Sequence, residues 1–246
     1  MDNITFKKEC MEIQNNFYEI KYAKHGFDEK AIGDPKGNNQ LRYDILIGNY
    51  DVSSKKIIDV GCGFGDMNIA LRKKAGDDYF YLGVDLFEKF VMEAKKKYGN
   101  RKIKFECCNF LECIFDEMFD YGIVSGIFNM KLPNDSNYEF AYETMKKMFS
   151  ICKDGFACNF LSDKVDYKNE ENFYFNPARI LEMSYGFSRR VILRNDYMPF
   201  EFSIFVFKDG SFSKDDAIFT KYKEKHIEYA VRVEHRRRLG LNTCGA

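Results

Sequence analysis

The chain has 246 residues, of which 45% are hydrophobic, and its 38 basic and 38 acidic side chains cancel to a formal net charge of zero. This length and apolar content suit one α/β domain with some elaboration, and a neutral chain lacks the basic surface of a general nucleic-acid binder. No apolar run approaches the length of a membrane span, and no secretory leader pattern is present, so neither a membrane span nor export is expected.

The first fifty residues are predicted to be mainly helical. Apolar residues at helical spacing predict a helix over 4–24, and a second helix is expected over 40–50. Between them, the polar, glycine-containing loop 33–39 suits either a mobile lid or a simple connection. We define residues 1–50 as an N-terminal helical cap and expect residues 20–45 to act as a lid.

The central part of the chain alternates between predicted strands and predicted helices. Strands are expected at 55–60, 79–85, 103–107, 120–127 and 155–162, and helices at 66–75, 87–98, 110–117 and 136–151. Alternation of this kind predicts a parallel, doubly wound sheet with a Rossmann-like arrangement. The domain built on this sheet is expected to span residues 51–210.

A helix and a hairpin are predicted to complete the domain. Asn176 followed by Pro177 has the form of an N-cap and first helical residue, and this helix should run to about Tyr185. Two apolar runs, 190–194 and 202–207, flank a polar turn and predict an antiparallel pair of strands.

The last segment, 211–246, is predicted to contain a C-terminal helix and a basic tail. Residues 213–216 resemble a capping box with aspartate in place of glutamate, which would open the helix. Arginines cluster within 232–246. Such a tail can bind phosphates or an acidic membrane surface, or it can be a solvated helix end, and no function is assigned to it.

The cysteines and histidines indicate neither a metal site nor a disulfide framework. The eight cysteines include no C-x-x-C pair, and only three histidines are present, so no zinc-binding spacing is found. Reduced thiols and a cytoplasmic location are therefore expected.

One short segment carries most of the functional information. A buried strand is expected to end near Asp59, and Gly61, Gly63 and Gly65 follow at alternate positions before a helix. Glycines let a backbone turn sharply and approach a ligand, and the N–H groups at a helix start favour a carboxylate or phosphate. The dinucleotide fingerprint G-x-G-x-x-G places its third glycine one position later, so an NAD enzyme fits this spacing poorly.

The pattern resembles motif I of the class I S-adenosylmethionine-dependent methyltransferases, E/D-x-G-x-G-x-G. Three further segments, 79–85, 103–112 and 119–129, resemble the next motifs of that family in order and spacing. The resemblance implies a seven-stranded sheet in the order 3-2-1-4-5-7-6 whose last strand is antiparallel. It also implies S-adenosyl-L-methionine as the cofactor and S-adenosyl-L-homocysteine as its product.

The resemblance further implies which residues hold the cofactor. Asp85 is expected to accept hydrogen bonds from two ribose hydroxyls, and Leu86 is expected to lie against adenine. Asn109 is expected beside the adenine amino group, at a position where the family often has aspartate. The residues expected to contact the cofactor are Gln40, Arg42, Asp59, Gly61, Gly63, Gly65, Asp85, Leu86, Asn109, Phe110 and Ser125.

Shorter patterns resemble small bacterial class I methyltransferases associated with surface-polysaccharide and capsule biosynthesis, including capsular phosphoramidate O-methyltransferases. The matching pieces are His25-Gly26, 40–43, 125–131, 174–177 and Asp196-Tyr197. The resemblance implies a small anionic or hydroxylated acceptor that is methylated on oxygen. The segment 125–131 also lacks the prolines that nucleobase amino-methyltransferases often carry there. A small-molecule N-methyltransferase and a non-catalytic S-adenosylmethionine-binding protein stay open as alternatives.

Five residues are candidates for the reaction itself. His25 suits a general base, an acceptor-binding group or a helix cap, and Asn129 suits an acceptor ligand or a turn residue. Lys131 would neutralise an anionic acceptor or be an ordinary surface lysine. Asp196 and Tyr197, at the hairpin turn, suit a base and a binding group or a simple turn.

Overall fold

The computed structural model describes residues 3–33 and 37–208, together with Ile218, Tyr222 and His235. Residues 1–208 form one compact unit, and 209–246 form a second unit that is helical at its three described residues. The predicted capping box at 213–216 lies outside the described residues, as does the tail 232–246 apart from His235. No helix in the described part of the chain is long and apolar enough to cross a membrane.

A seven-stranded sheet organises the first unit. Its strands are β1 Lys55–Val60, β2 Tyr79–Asp85, β3 Ile103–Cys107, β4 Phe119–Val124, β5 Cys152–Leu161, β6 Val191–Arg194 and β7 Glu201–Phe207. The spatial order is β3-β2-β1-β4-β5-β7-β6, which confirms the predicted order. Strands β1 to β5 pair in parallel, and β7 runs antiparallel to both β5 and β6.

Six α-helices accompany the strands in the described part of the first unit: α1 Asn3–His25, α2 Asn39–Leu46, α3 Met67–Ala75, α4 Glu88–Tyr98, α5 Asn137–Ile151 and α6 Pro177–Tyr185. A short 3-10 helix spans Pro133–Asp135. The helix predicted at 110–117 is wrong, because this segment is a series of turns. The Asn109 side chain accepts the N–H of Leu111 at 3.1 Å, a local bond that competes with helix formation. The Lys147 ammonium donates to the carbonyls of Phe110 and Cys113, which further fixes the turns.

Both faces of the sheet are buried, so its strands read as nearly continuous apolar runs. Ile57 and Ile123 pack in one hydrophobic cluster, while their neighbours Ile58 and Val124 pack in another. Successive side chains of a strand point to opposite faces, and the helices cover both. The carboxyl edge of the parallel strands is therefore where a ligand site is expected.

An aromatic cluster docks α1 beside the glycine turn. Tyr18 lies 5.4 Å from Phe90, and Tyr22 lies 5.9 Å from Phe87, between ring centroids. Phe64, which stands between two glycines of the turn, lies 4.9 Å from Phe90. Edge-to-face pairs such as these contribute about 0.5–1.5 kcal/mol each beyond their buried area. The N-terminal helix is thus packed against the start of α4 and the turn.

Candidate functional site

A cavity of about 880 Å³ opens at the carboxyl edge of the sheet. Its lining comes from the ends of β1, β2 and β4, the loop after β3, the helices α1 and α2, and the segment between β5 and α6. This is the position at which open α/β sheets bind their ligands, and the volume suits a cofactor together with a small second molecule.

The glycine turn forms one wall of this cavity. Gly61 has φ +74° and Gly63 has φ +52°, a region that side-chain-bearing residues rarely adopt. A β-carbon at Gly61 would lie 2.1 Å from the Ile127 side chain, so only glycine fits there. The turn therefore places bare backbone against the cavity, which is what a close approach to a ligand requires.

Asp85 ends β2 on the cavity lining. Its carboxylate accepts the N–H of Gly63 at 2.8 Å and the N–H of Phe87 at 2.9 Å. Burial raises the pKa of Asp85, and these backbone hydrogen bonds act in the opposite direction. Two backbone N–H donors thus fix the position of this carboxylate. Its oxygens can still accept further hydrogen bonds, such as those from the two hydroxyls of a diol.

Asp59 lies behind the turn and does not line the cavity. Its side chain is buried and accepts the hydroxyl hydrogen of Tyr81 at 2.6 Å. Burial raises the pKa of Asp59 to about 7, although the hydrogen bond from Tyr81 lowers it in part. Any influence of Asp59 on a bound cofactor would therefore pass through the turn that it supports.

The cavity lining also includes apolar side chains. Leu86, Phe110 and Phe140 are among them, and Thr144 of α5 is on the lining as well. The Thr144 hydroxyl is buried and has no hydrogen-bond partner among the described residues. The sequence alone does not indicate the contribution of α5, because the four motifs lie on other elements.

The cavity brings together most of the residues expected from sequence, but not all. On the lining are His25, Arg42, Gly61, Gly63, Asp85, Leu86, Asn109, Phe110, Ser125 and Asn129. Off the lining are Gln40, Asp59, Gly65, Lys131, Asp196 and Tyr197.

Local contacts explain the placement of three of these residues. Asp196 is exposed and accepts from Arg194 Nε at 2.7 Å, so it faces its hairpin neighbour. The Tyr197 hydroxyl is 2.8 Å from the Ser203 hydroxyl on β7. Lys131 is exposed, and its backbone N–H donates to the Glu171 carbonyl at 3.2 Å.

Arg42 lines the cavity, and a partner distant in sequence holds its guanidinium. Its Nε donates to both carboxylate oxygens of Glu201, at 2.8 and 2.9 Å, and Nη1 donates to Asn39 at 2.9 Å. On the same helix, the Gln40 side chain donates to Asp44 at 3.2 Å. Arg42 therefore fastens α2 to β7.

Apart from Tyr174, which belongs to the matching piece 174–177, sequence reasoning missed a polar segment that lines the cavity after β5. Its lining residues are Lys164, Val165, Asp166, Tyr167, Asn169, Glu171, Asn172 and Tyr174. Tyr18, Lys21 and Lys30 of the N-terminal part were missed as well. The one signal that could have found the segment is its position after the carboxyl end of a central strand.

Comparisons with known proteins agree with this geometry. Residues 57–155 match the family described as Methyltransferase domain. No curated protein matches the sequence.

Three solved structures, two of them described as methyltransferases, share the fold. Magnesium protoporphyrin IX methyltransferase (ChlM) from Synechocystis PCC 6803 with bound SAH has a TM-score of 0.58 at 16% identity, over 85% of this chain and 100% of that chain. A SAM-dependent methyltransferase from Aquifex aeolicus has a TM-score of 0.54 at 15% identity, over 74% and 98% of the two chains. The DhpI-SAH complex has a TM-score of 0.59 at 14% identity, over 80% and 96%.

At these identities the structures show the fold, and the domain match covers the strands that carry the glycine turn and Asp85. The chain therefore contains a methyltransferase domain, matched over residues 57–155, and has the class I methyltransferase fold.

Proposed function

We propose that this protein methylates an oxygen of a small acceptor that is anionic or hydroxylated, and that it does so in the cytoplasm. Precursors of surface or capsular polysaccharide, phosphoramidate groups included, are the acceptors to test first, because the short patterns described above resemble enzymes of that kind. One observation carries the proposal: the glycine turn and Asp85 line the same cavity as a set of lysines, carboxylates and amides.

The residues at the turn end of the cavity fit S-adenosylmethionine. The backbone at Gly61 and Gly63 would face its methionine part, since N–H groups near a helix start favour a carboxylate. Asp85 would accept from the two ribose hydroxyls as a charge-assisted acceptor. Leu86 and Phe110 would enclose adenine, and the unpartnered Thr144 hydroxyl offers that end a polar group.

When bound, S-adenosylmethionine supplies an electrophilic methyl group carried on a sulfonium. The protein has to align the acceptor oxygen with that methyl group, and it has to remove a proton only where the oxygen carries one. Asn129, which lies on the lining just after β4, is placed to orient an acceptor. His25 also lies on the lining, and an imidazole nitrogen can accept a proton from an acceptor hydroxyl.

The cations on the lining differ from those expected from sequence. Lys21 and Lys30 lie there, whereas Lys131 does not, and Arg42 is held by Glu201. Ammonium groups bind phosphate-like oxygens through charge-assisted hydrogen bonds. We therefore assign an anionic group of the acceptor to Lys21 and Lys30.

The test is product analysis with a labelled methyl donor. The protein is incubated with methyl-labelled S-adenosylmethionine and a panel of nucleotide-activated sugars, phosphorylated metabolites and cell extracts, and products are followed by mass. We expect S-adenosylhomocysteine and a product heavier by one methyl group on oxygen. A product methylated on nitrogen would support the N-methyltransferase alternative. Cofactor binding without any S-adenosylhomocysteine would support the non-catalytic one.

A further inference from the structure

We propose that residues 162–175, here called the acceptor arm, recognise the hydroxyl-bearing ring of a phosphorylated sugar, whose phosphate is held by Lys21 and Lys30. This inference rests on the proposed function, because it names the acceptor class of the same cavity. The arm connects β5 to α6 and supplies eight residues of the cavity lining.

Backbone hydrogen bonds close the base of the arm. The N–H of Phe175 donates to the Leu161 carbonyl at 2.8 Å, and the N–H of Asp163 donates to the Phe175 carbonyl at 2.9 Å. Phe175 is fully buried. The two ends of the arm are therefore anchored to the end of β5.

A second set of bonds joins the arm to the segment after β4. The N–H of Phe173 donates to the Asn129 carbonyl at 2.9 Å, and the N–H of Lys131 donates to the Glu171 carbonyl at 3.2 Å. Met130 and Asn172 form an antiparallel bridge between these bonds. The arm is thus fixed beside Asn129, the residue we expect to orient the acceptor.

Some polar groups of the arm are used to shape it. The Tyr174 hydroxyl accepts the N–H of Asn169 at 2.8 Å, and the Asn169 side chain accepts the N–H of Glu171 at 2.9 Å. Asp166 and Glu171 line the cavity, and no cationic nitrogen of the described residues lies within 4.0 Å of either carboxylate. These two carboxylates are hydrogen-bond acceptors suited to the hydroxyls of a sugar.

Tyr167 adds an aromatic surface at the cavity. It lines the cavity, yet 80% of its surface is exposed. A tyrosine ring presents a large apolar face with a polar tip, which suits contact with a partly polar ring. The exposed ring beside Asp166 is therefore a platform for the apolar face of a sugar.

The N-terminal part supplies the positive charge. Lys21 and Lys30 line the cavity, and in the described part of the chain no carboxylate is recorded within 4.0 Å of their ammonium groups. Lys164, on the arm, is instead paired with Asp163 at 3.3 Å. Asp166 and Glu171 would repel a phosphate, so the phosphate is directed to the two lysines and the ring to the arm.

The first test uses the absence of tryptophan from the chain. Tyr167→Trp places a unique fluorophore on the arm, and Tyr185→Trp places one at a residue that is 49% exposed on α6 and off the lining. Glucose 1-phosphate should change the emission of the first variant saturably and leave the second unchanged. Glucose and inorganic phosphate alone should bind more weakly. No response of the first variant, or an equal response of both, would overturn the inference.

The second test separates charge from position. In the Tyr167→Trp background, Lys21→Ala should raise the Kd for glucose 1-phosphate about tenfold, whereas Lys24→Ala, on the same helix but off the lining, should not change it. Asp166→Ala should also raise this Kd, whereas Glu170→Ala, at a residue off the lining, should leave it unchanged. Equal losses of affinity in Lys21→Ala and Lys24→Ala would contradict the assignment of the phosphate. Equal losses in Asp166→Ala and Glu170→Ala would contradict the assignment of the ring.

Calorimetry with S-adenosylhomocysteine keeps the two proposals distinguishable. Lys21→Ala and Asp166→Ala should bind it as tightly as the parent protein. A protein that binds glucose 1-phosphate on the arm but not S-adenosylhomocysteine would contradict the proposed function alone. A protein that binds S-adenosylhomocysteine but not glucose 1-phosphate would contradict the acceptor arm alone.

Discussion

Arg42 of α2 and Glu201 of β7 form a buried ion pair in which Arg42 Nε lies 2.8 Å from one carboxylate oxygen and 2.9 Å from the other. Their side chains are 12% and 1% exposed. Because α2 follows the loop of the N-terminal cap and β7 lies inside the sheet, the pair fastens the cap to the domain at the edge of the cavity.

Removing one partner of this pair should be costly. Arg42→Ala leaves the Glu201 carboxylate buried without that cation, so we expect the free energy of unfolding to fall by about 3–5 kcal/mol. Urea denaturation measures this. The control is Lys73→Ala, which breaks the exposed pair of Lys73 with Asp44 at 3.3 Å and should cost less than about 1 kcal/mol. Equal effects of the two substitutions would show that the buried pair does not stabilise the fold.

The buried Asp59 predicts a pH dependence of stability. Burial raises its pKa from the usual 3.8 to about 7, so between these values the folded protein holds a proton that the unfolded chain releases. Stability contributed by this group is therefore lost as the pH rises through the window, by up to about 1.4 kcal/mol per pH unit, and the loss ends above the folded pKa.

Asp59→Asn should remove that slope while still accepting the hydrogen bond from Tyr81. Urea unfolding of both proteins between about pH 4.5 and about pH 6.5, which lies inside that window, measures the difference between the two slopes. Asp85 is present in both proteins, so the comparison isolates Asp59. Asp77→Asn, at an exposed carboxylate, should keep the parent slope. Equal slopes of stability against pH in the parent protein and in Asp59→Asn would contradict the claim that burial raises the pKa of Asp59.

Residues 20–45 are expected to close over the cofactor. Ile32 packs on the glycine turn, since a β-carbon at Gly63 would lie 3.3 Å from its Cγ2 atom, and His25 and Lys30 line the same cavity. Closure excludes water and aligns reactants. Hydrogen exchange in this segment should therefore slow when S-adenosylhomocysteine is added, while exchange in α6 stays unchanged. Unaltered exchange in 20–45 would rule out a lid.

His25 and Asp196 are expected to differ in their effect on turnover. With an acceptor whose hydroxyl is protonated, His25→Ala should lower kcat about 100-fold or more and leave the affinity for S-adenosylhomocysteine intact. Asp196→Asn should change neither, because Asp196 is exposed, paired with Arg194 and off the lining. With a charged acceptor oxygen, the main loss should instead appear in KM for Lys21→Ala. A loss of turnover in Asp196→Asn with His25→Ala unaffected would reverse this assignment.

Local patterns in the sequence were enough to predict the strands of the sheet. Apolar runs such as 55–60 have to be buried on both faces, and the glycines that follow permit one kind of turn. The strand order, which the resemblance to class I methyltransferases implied, is confirmed as well. The helix predicted at 110–117 failed because Asn109 and Lys147 supply the backbone of that segment with other partners.

Long-range partners limited what the sequence could show about the site. Arg42 and Glu201 are 159 positions apart, so no helical spacing could pair them. Apart from its last two residues, which belong to the matching piece 174–177, the acceptor arm has neither periodicity nor a motif. Its place on the cavity follows from backbone pairing with residues 129–131. Lys131, by contrast, was singled out by its position after a strand, although its side chain is not on the lining.

The central claim is that S-adenosylmethionine binds over the glycine turn with its ribose on Asp85, and calorimetry on Asp85→Ala tests it most directly. Loss of a charge-assisted, partly buried acceptor should weaken binding of S-adenosylhomocysteine at least about tenfold. Asp77→Ala, at an exposed carboxylate away from the cavity, should bind as tightly as the parent protein. Unchanged affinity in Asp85→Ala, or tighter binding of NAD than of S-adenosylhomocysteine by the parent protein, would contradict the account.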